Sequence, residues 1–317
     1  MHLIAGTTRD GASLAELMNI TGGSKRNFTP VTEESLLRLW GRGPGYASDG
    51  LLLVRDDTGQ LLGATHALYD SAAQRGYLPF LLSRPDYEDL VWPILLSASE
   101  DHLRRATRLS IGSPYTPLYC ALEGRFQPLW GTTEVMEARE TDARLTAFLR
   151  ESGFRLRYTH LSLTINLKPL PDLNNPLPAG RWETLRGAGC WENGYTWYGL
   201  TAAEEFGQHN HALNILLVRE DYRVIGHITW YPMRQKGKAA ICDVAVTKRL
   251  RGRGIGSYLL HSALTHLYQL GFSEVELCTT PALSKAAYRL YLRAGFETAA
   301  TWLEMSKPLH PSLTPSL

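Results

Sequence analysis

The segment TKRLRGRGIGS at 247–257 sets Gly252, Gly254 and Gly256 at alternate positions, with Arg249, Arg251 and Arg253 among them. Bare glycine lets backbone N–H groups come within contact of a ligand, and the first N–H groups of a following helix have no intrahelical acceptor. A loop of this kind, opening a helix, is an anion site whose expected occupant is a phosphate or pyrophosphate. The spacing narrows the choice. A dinucleotide fingerprint needs GxGxxG and an NTP loop needs GxxxxGK[ST], whereas this loop is GxGxG with no lysine after it. A flexible basic turn is the plain alternative, and Arg249 and Arg253 fit it as solvated side chains.

The elements that must hold this loop are legible on either side. Ile241, Val244 and Val246 lie in an apolar, partly β-branched run suited to a buried strand. Ile255, Leu259, Ala263, Leu267 and Leu270 then recur at helical spacing. A strand therefore feeds a helix through the glycine loop.

RGRGIG at 251–256 resembles the RxxGxG pyrophosphate-arm signature of the GNAT superfamily of acetyl-CoA-dependent N-acetyltransferases, and the VAV strand ending at Val246 stands where that family has it. Downstream, SKAAYRLYLRAGF at 284–296 is similar to the family's NxxAxxLYxxxGF, with Ala287, Leu290, Tyr291, Gly295 and Phe296 in place and Ser284 where asparagine is usual. The resemblance covers about 180–308. It implies acetyl-CoA as cosubstrate, no metal, and an amine acceptor attacking directly. It also implies that Val244, Ala245 and Val246 flank the thioester and that Arg251, Gly252, Arg253, Gly254, Ile255, Gly256 and Ser257 anchor the pyrophosphate. Ser284 would face the pantetheine arm, its contact weakened by the change from asparagine. The Tyr291 hydroxyl would protonate the departing thiolate, where a tyrosine on a helix face is otherwise read as packing.

Asp243, three residues before Val246, is placed to take a proton from an attacking ammonium, or else to hold a backbone amide or the substrate's charge as a strand-end acid. A bulge in this strand would change its side-chain parity. His227 in the preceding strand is the second candidate base against a structural role. Trp191, Tyr195, Trp197, Tyr198 and Phe206 crowd the segment ahead of it, with Glu192, Glu204 and Glu205 nearby. They read as core and interdomain packing or as an aromatic platform for a cationic acceptor.

The chain repeats itself weakly. LLVRDDTGQLLGATHA at 52–67 overlays LLVREDYRVIGHITW at 216–230, both as hairpins. Leu82 then falls against Val246, and FLRESGF at 148–154 resembles LYLRAGF at 290–296. In that overlay Glu88, Leu90 and Trp92 stand where the second half has its glycines, so residues 1–167 read as a GNAT-like domain that has lost its cofactor loop. Pro169, Pro171, Pro176 and Pro178 mark a linker at 168–180. The catalytic domain is expected at 181–308 and a proline-bearing tail at 309–317. The fold class is α+β: two tandem GNAT-like domains, each a mixed, mostly antiparallel sheet flanked by helices.

With 317 residues, 44% of them hydrophobic, the chain has enough apolar material for two such cores. Its formal charge of +2 gives no general basic field, so nucleic acid and anionic membrane are not expected partners. Cys120, Cys190, Cys242 and Cys278 form no CxxC pair, and no leader or long apolar span stands out, which points to a soluble cytoplasmic protein. The expectation is an N-acetyltransferase acting on a small-molecule or peptide amine, with oligomeric state open. A non-catalytic acyl-CoA-binding regulatory or sensor protein is the alternative.

Overall fold

The computed structural model describes residues 1–40, 50–71, 73–113, 128–168, 214–220 and 223–309, with the backbone of three short strands between 183 and 201. The expected linker from Pro169, nearly all of the expected tail, Cys120, Cys190 and the acidic and aromatic side chains at 191–206 lie outside the described residues. The chain forms two compact units. One holds Met1–Leu122, Pro128–His160 and Thr301–Leu317; the other holds Glu123–Gln127 and Leu161–Ala300. Each is an α+β assembly of helices on mixed, mostly antiparallel strands.

In the first unit β1 (His2–Ala5), β2 (Leu51–Arg55), β3 (Leu61–His66) and β6 (Leu81–Ser83) pair antiparallel in that order. β4 (Leu68–Asp70) pairs antiparallel with β5 (Arg75–Leu78), which pairs parallel with β7 (Arg108–Ile111). Between β5 and β6 stand only Pro79 and Phe80, and Pro79 has no N–H to continue a ladder. One stretch of chain thus leaves β7 and joins β3. Helices α1 (Gly11–Gly22), α2 (Glu33–Trp40), α3 (Glu88–His102) and α4 (Ala143–Glu151) complete the unit. Leu14, Leu17 and Met18 of α1 pack in one core; Val91, Trp92, Leu95 and Leu96 of α3 and Leu145 and Leu149 of α4 pack in another. Buried Glu137, pushed above its usual range by burial and held partly down by Lys25, meets that lysine at 2.7 Å.

β8 (Arg155–Asn166) carries the chain into the second unit, where β9 (Glu183–Arg186) and the small ladder of β10 (Thr196–Trp197) and β11 (Leu200–Thr201) follow. β12 (Asn214–Glu220), β13 (Arg223–Pro232), β14 (Lys238–Val246) and β15 (Glu274–Thr279) form the sheet with β8 and β9, in the order β8-β15-β14-β13-β12-β9. Only β14 and β15 are parallel. The crossover between them is α5 (Ile255–Gln269), and α6 (Lys285–Arg293) follows β15. Ile255, Leu259, Leu260, Ala263, Leu264 and Leu267 turn one face of α5 onto the sheet. Burying each large aliphatic among them is worth about 1.5–3 kcal/mol. A Cβ on Gly226 would lie 3.1 Å from Leu259 Cδ1 and 3.3 Å from Ile255 Cγ2, so glycine lets the start of α5 sit down on β13.

The last strand, β16 (Glu297–Pro308), pairs antiparallel with β7 from Met305 to Pro308, within the first unit. β15 pairs with residues 161–166 of β8. A fragment of residues 178–317 therefore carries β15 and β16 without these partners. Unpaired strand edges are aggregation templates, so the fragment is expected to be poorly soluble in a sedimentation assay. A monodisperse, cooperatively unfolding fragment would contradict this pairing scheme.

Candidate functional site

β14 changes partners halfway along. It pairs with β15 in parallel from Lys238↔Glu274 to Ile241↔Leu277, and there the pairing ends, while pairing with β13 continues to Gly226↔Val246. Residues 242–246 thus diverge from β15. The β13 ladder shifts register between Thr229↔Asp243 and Trp230↔Ile241, so Cys242 is the additional residue of a bulge.

The bulge decides which way Asp243 faces. Ile228, Trp230 and Ile241 belong to the core that includes α5, whereas Cys242 packs with Tyr231, Met233 and Ala240 in a separate cluster. Strict alternation from Ile241 would send Asp243 to the α5 side; the additional residue keeps it opposite Thr229, away from that core. His227 stands opposite Ala245, diagonal to Asp243 on that face. The two side chains meet at 2.7 Å, His227 Nε2 to Asp243 Oδ2, with His227 2% and Asp243 25% exposed. The two candidate bases form one pair.

Thr247 donates its N–H to the Ile225 carbonyl at 2.8 Å, which fixes the phase of the ladder. Bonded pairs alternate in an antiparallel ladder. The Thr247–Ile225, Ala245–His227 and Asp243–Thr229 pairs are therefore the bonded ones, and Val244 and Val246 turn their backbone groups to the other edge, into the gap left by β15. The Val246 carbonyl accepts from Arg251 Nε at 2.9 Å, which ties the loop to the strand end.

Into this gap opens a cleft of about 490 Å³. Val244, Ala245, Val246, Arg251, Gly252, Gly254, Ile255, Gly256, Ser257 and Ser284 all line it. Of the residues expected to hold a coenzyme only Arg253 does not. Gly252 and Gly254 have φ of 79° and 84°, a region L side chains rarely adopt, and a Cβ at Gly252 would meet nothing within 4 Å. Gly254 is the N-cap of α5 and has no side chain to satisfy the first-turn N–H groups, which are left for an anion. The open loop and the uncapped helix start fit a pyrophosphate.

The opposite wall is α6, through Ala286, Ala287, Arg289, Leu290 and Arg293. The two arginines were not picked out from the sequence, although their i, i+4 spacing on a helix next to the motif was readable. Tyr291 is 6% exposed, packs against Phe296 with ring centroids 5.9 Å apart, and is not among the lining residues. Ser284 is the N-cap of α6 and makes no side-chain cap bond.

In the first unit the start of α3, which the sequence overlay sets against the glycine loop, is acidic. Glu88 and Asp89 occupy the first turn of α3. Arg144 of α4 bridges them, Nη1 to Glu88 Oε2 at 3.0 Å and Nη2 to Asp89 Oδ2 at 2.9 Å. In the overlay of 148–154 on 290–296, Arg144 falls at Ala286, which lines the cleft of the second unit.

Among the described residues no group of three or more His, Cys, Asp or Glu could hold a metal ion, and no helix is long and apolar enough to cross a membrane. Cys242 and Cys278 are in no disulfide.

Residues 181–296 match the Acetyltransferase (GNAT) family. Among curated proteins, the uncharacterized N-acetyltransferase YhbS of Escherichia coli is 28% identical over 113 residues, 34% of this chain and 54% of that protein. The chain spans about half the length of the curated relatives it matches. Among solved structures, a GCN5-related N-acetyltransferase from Sphaerobacter thermophilus superposes with a TM-score of 0.64 at 17% identity, covering 98% of this chain and 96% of that one. A tandem GNAT protein from the clavulanic acid biosynthesis pathway gives 0.66 at 14% identity, covering 98% and 99%. At these identities the likeness establishes the fold.

The loop geometry separates two glycines. Gly254→Ala places a Cβ at positive φ and is expected to lower stability by about 1 kcal/mol. Gly256 lies within α5, and its Cβ would find only ordinary contacts, 3.5 Å to Leu290 Cδ2, so Gly256→Ala should leave stability unchanged or raise it. Urea unfolding of the two variants checks this; equal losses would contradict the loop conformation.

Proposed function

We propose, from the match of residues 181–296 to the Acetyltransferase (GNAT) family, that the second unit is an acyltransferase that moves an acetyl group from acetyl-CoA to a primary amine. The acceptor is a small molecule or a peptide, and the protein works in the cytoplasm. The first unit keeps the scaffold without a coenzyme site. The supporting observation is the parting of β14 from β15 after Ile241, with an anion loop at one end of the gap and the Asp243–His227 pair on the strand beside it.

Acetyl-CoA, when bound, supplies an activated thioester whose carbonyl carbon an amine can attack. Residues 251–257 hold its pyrophosphate through orphan amides and the start of α5. The Val244 and Val246 N–H groups face the gap as fixed donors for an oxygen gaining negative charge. Ser284 and Ala287 shape the far wall. Asp243 takes a proton from the ammonium form of the acceptor, and His227, nearly fully buried, orients the carboxylate and shares that proton. Tyr291, on α6 next to the lining residue Leu290 but not itself lining the cleft, supplies a proton on the thiol side through its hydroxyl. In the first unit the Glu88–Arg144–Asp89 bridge fills the corresponding helix start with carboxylates, which repel a pyrophosphate.

Calorimetry with acetyl-CoA should give one equivalent per chain. Binding should be lost in Gly254→Glu and kept in Tyr87→Ala; two equivalents would sink the assignment of the first unit. Free-thiol release over a panel of amines tests turnover, and binding without release from any amine would leave a sensor module instead. Tyr291→Phe is expected to lower kcat by on the order of 10²-fold with coenzyme affinity kept. Unchanged kcat would make Tyr291 a packing residue. Asp243→Asn should slow the reaction mainly below the pKa of the acceptor amine and recover as pH rises. An equal loss at every pH would assign the carboxylate to structure or substrate charge.

A further inference from the structure

We propose that Arg289 and Arg293 form a second anion subsite in the cleft, which takes the 3′-phosphate on the adenosine end of the coenzyme and selects CoA over its dephospho form. The inference rests on the coenzyme reading of the cleft and assigns residues that the loop signature does not include.

The cleft is one-sided in charge. Arg251, Arg289 and Arg293 line it and no aspartate or glutamate does. Among the described residues neither Arg289 nor Arg293 has a carboxylate partner, whereas Arg249 is held by Glu220 and Arg144 by Glu88 and Asp89. Arg289 and Arg293 stand four residues apart on α6, so their guanidinium groups project from neighbouring turns of one face. Like charges at that spacing destabilise a helix, and an anion between them removes the penalty.

Position separates this pair from the loop. A Cβ on Gly256 would lie 3.5 Å from Leu290 Cδ2, so α6 passes beside the start of α5 and its arginines border the cleft across from the glycines. The loop amides and the α5 dipole suit a pyrophosphate, whose oxygens are taken by backbone donors. A terminal phosphomonoester carries more charge per group and three free oxygens, which suits the forked donors of two arginines better than a point charge. A ligand with both groups satisfies both walls.

The test measures binding, not turnover. Calorimetry of the full chain with CoA and with 3′-dephospho-CoA should show CoA bound about tenfold more tightly, the scale of a charged hydrogen-bonded contact. In the Arg289→Gln/Arg293→Gln double variant that preference should vanish while affinity for dephospho-CoA stays within about twofold, which also shows that the variant is folded. Equal affinities in the unsubstituted protein, or a preference that survives both substitutions, would overturn the subsite and leave the coenzyme reading standing. If neither ligand binds the unsubstituted protein, both fall.

Discussion

Everything at the site depends on β14 pairing with β15 for only part of its length. Up to Ile241 the two parallel strands share a ladder, and beyond it β14 keeps β13 and leaves β15. Central strands normally spend both edges on ladder bonds, and a backbone edge without partners is costly when buried. Here that edge opens into a cleft lined by Val244 and Val246. The Cys242 bulge lies at the point of divergence, and the same additional residue carries Asp243 round to His227. One local irregularity thus separates two faces: the cleft on one side of the strand and the Asp243–His227 pair on the other.

The first unit handles the same junction more abruptly. β5 runs parallel to β7, Pro79 breaks the ladder, and β6 resumes antiparallel to β3, so two short strands change partners where β14 does so as one. Val91, Leu95 and Leu96 of α3 pack in one apolar core, and Leu259 and Ala263 of α5 pack in another. The two helix starts differ in chemistry: carboxylates bridged by an arginine open α3, and bare amides open α5.

Much of the second unit was readable because its signals are local. The alternating glycines, the apolar run before them and the helical periodicity after them all fall within 240–270, and the structure has a strand, loop and helix there. What escaped depends on partners distant in sequence. Asp243 and His227 were rival bases on paper, since strand parity is set by register against β13 and a bulge leaves no unambiguous mark in one sequence. Arg289 and Arg293 were not singled out in the sequence, because only the packing of α6 beside α5 brings them to the cleft. Arg253 sits inside the signature and does not line the cleft.

The central claim is that ligand donors gather at 244–258 and nowhere equivalent in the first unit. Hydrogen–deuterium exchange of the full chain, with and without saturating acetyl-CoA, addresses it most directly, because amides that bond a ligand exchange more slowly. The account predicts added protection at Val244, Val246 and the amides of 252–258, with residues 84–92 unchanged. Protection at 84–92, or none at 244–258 when the coenzyme is bound, would contradict it.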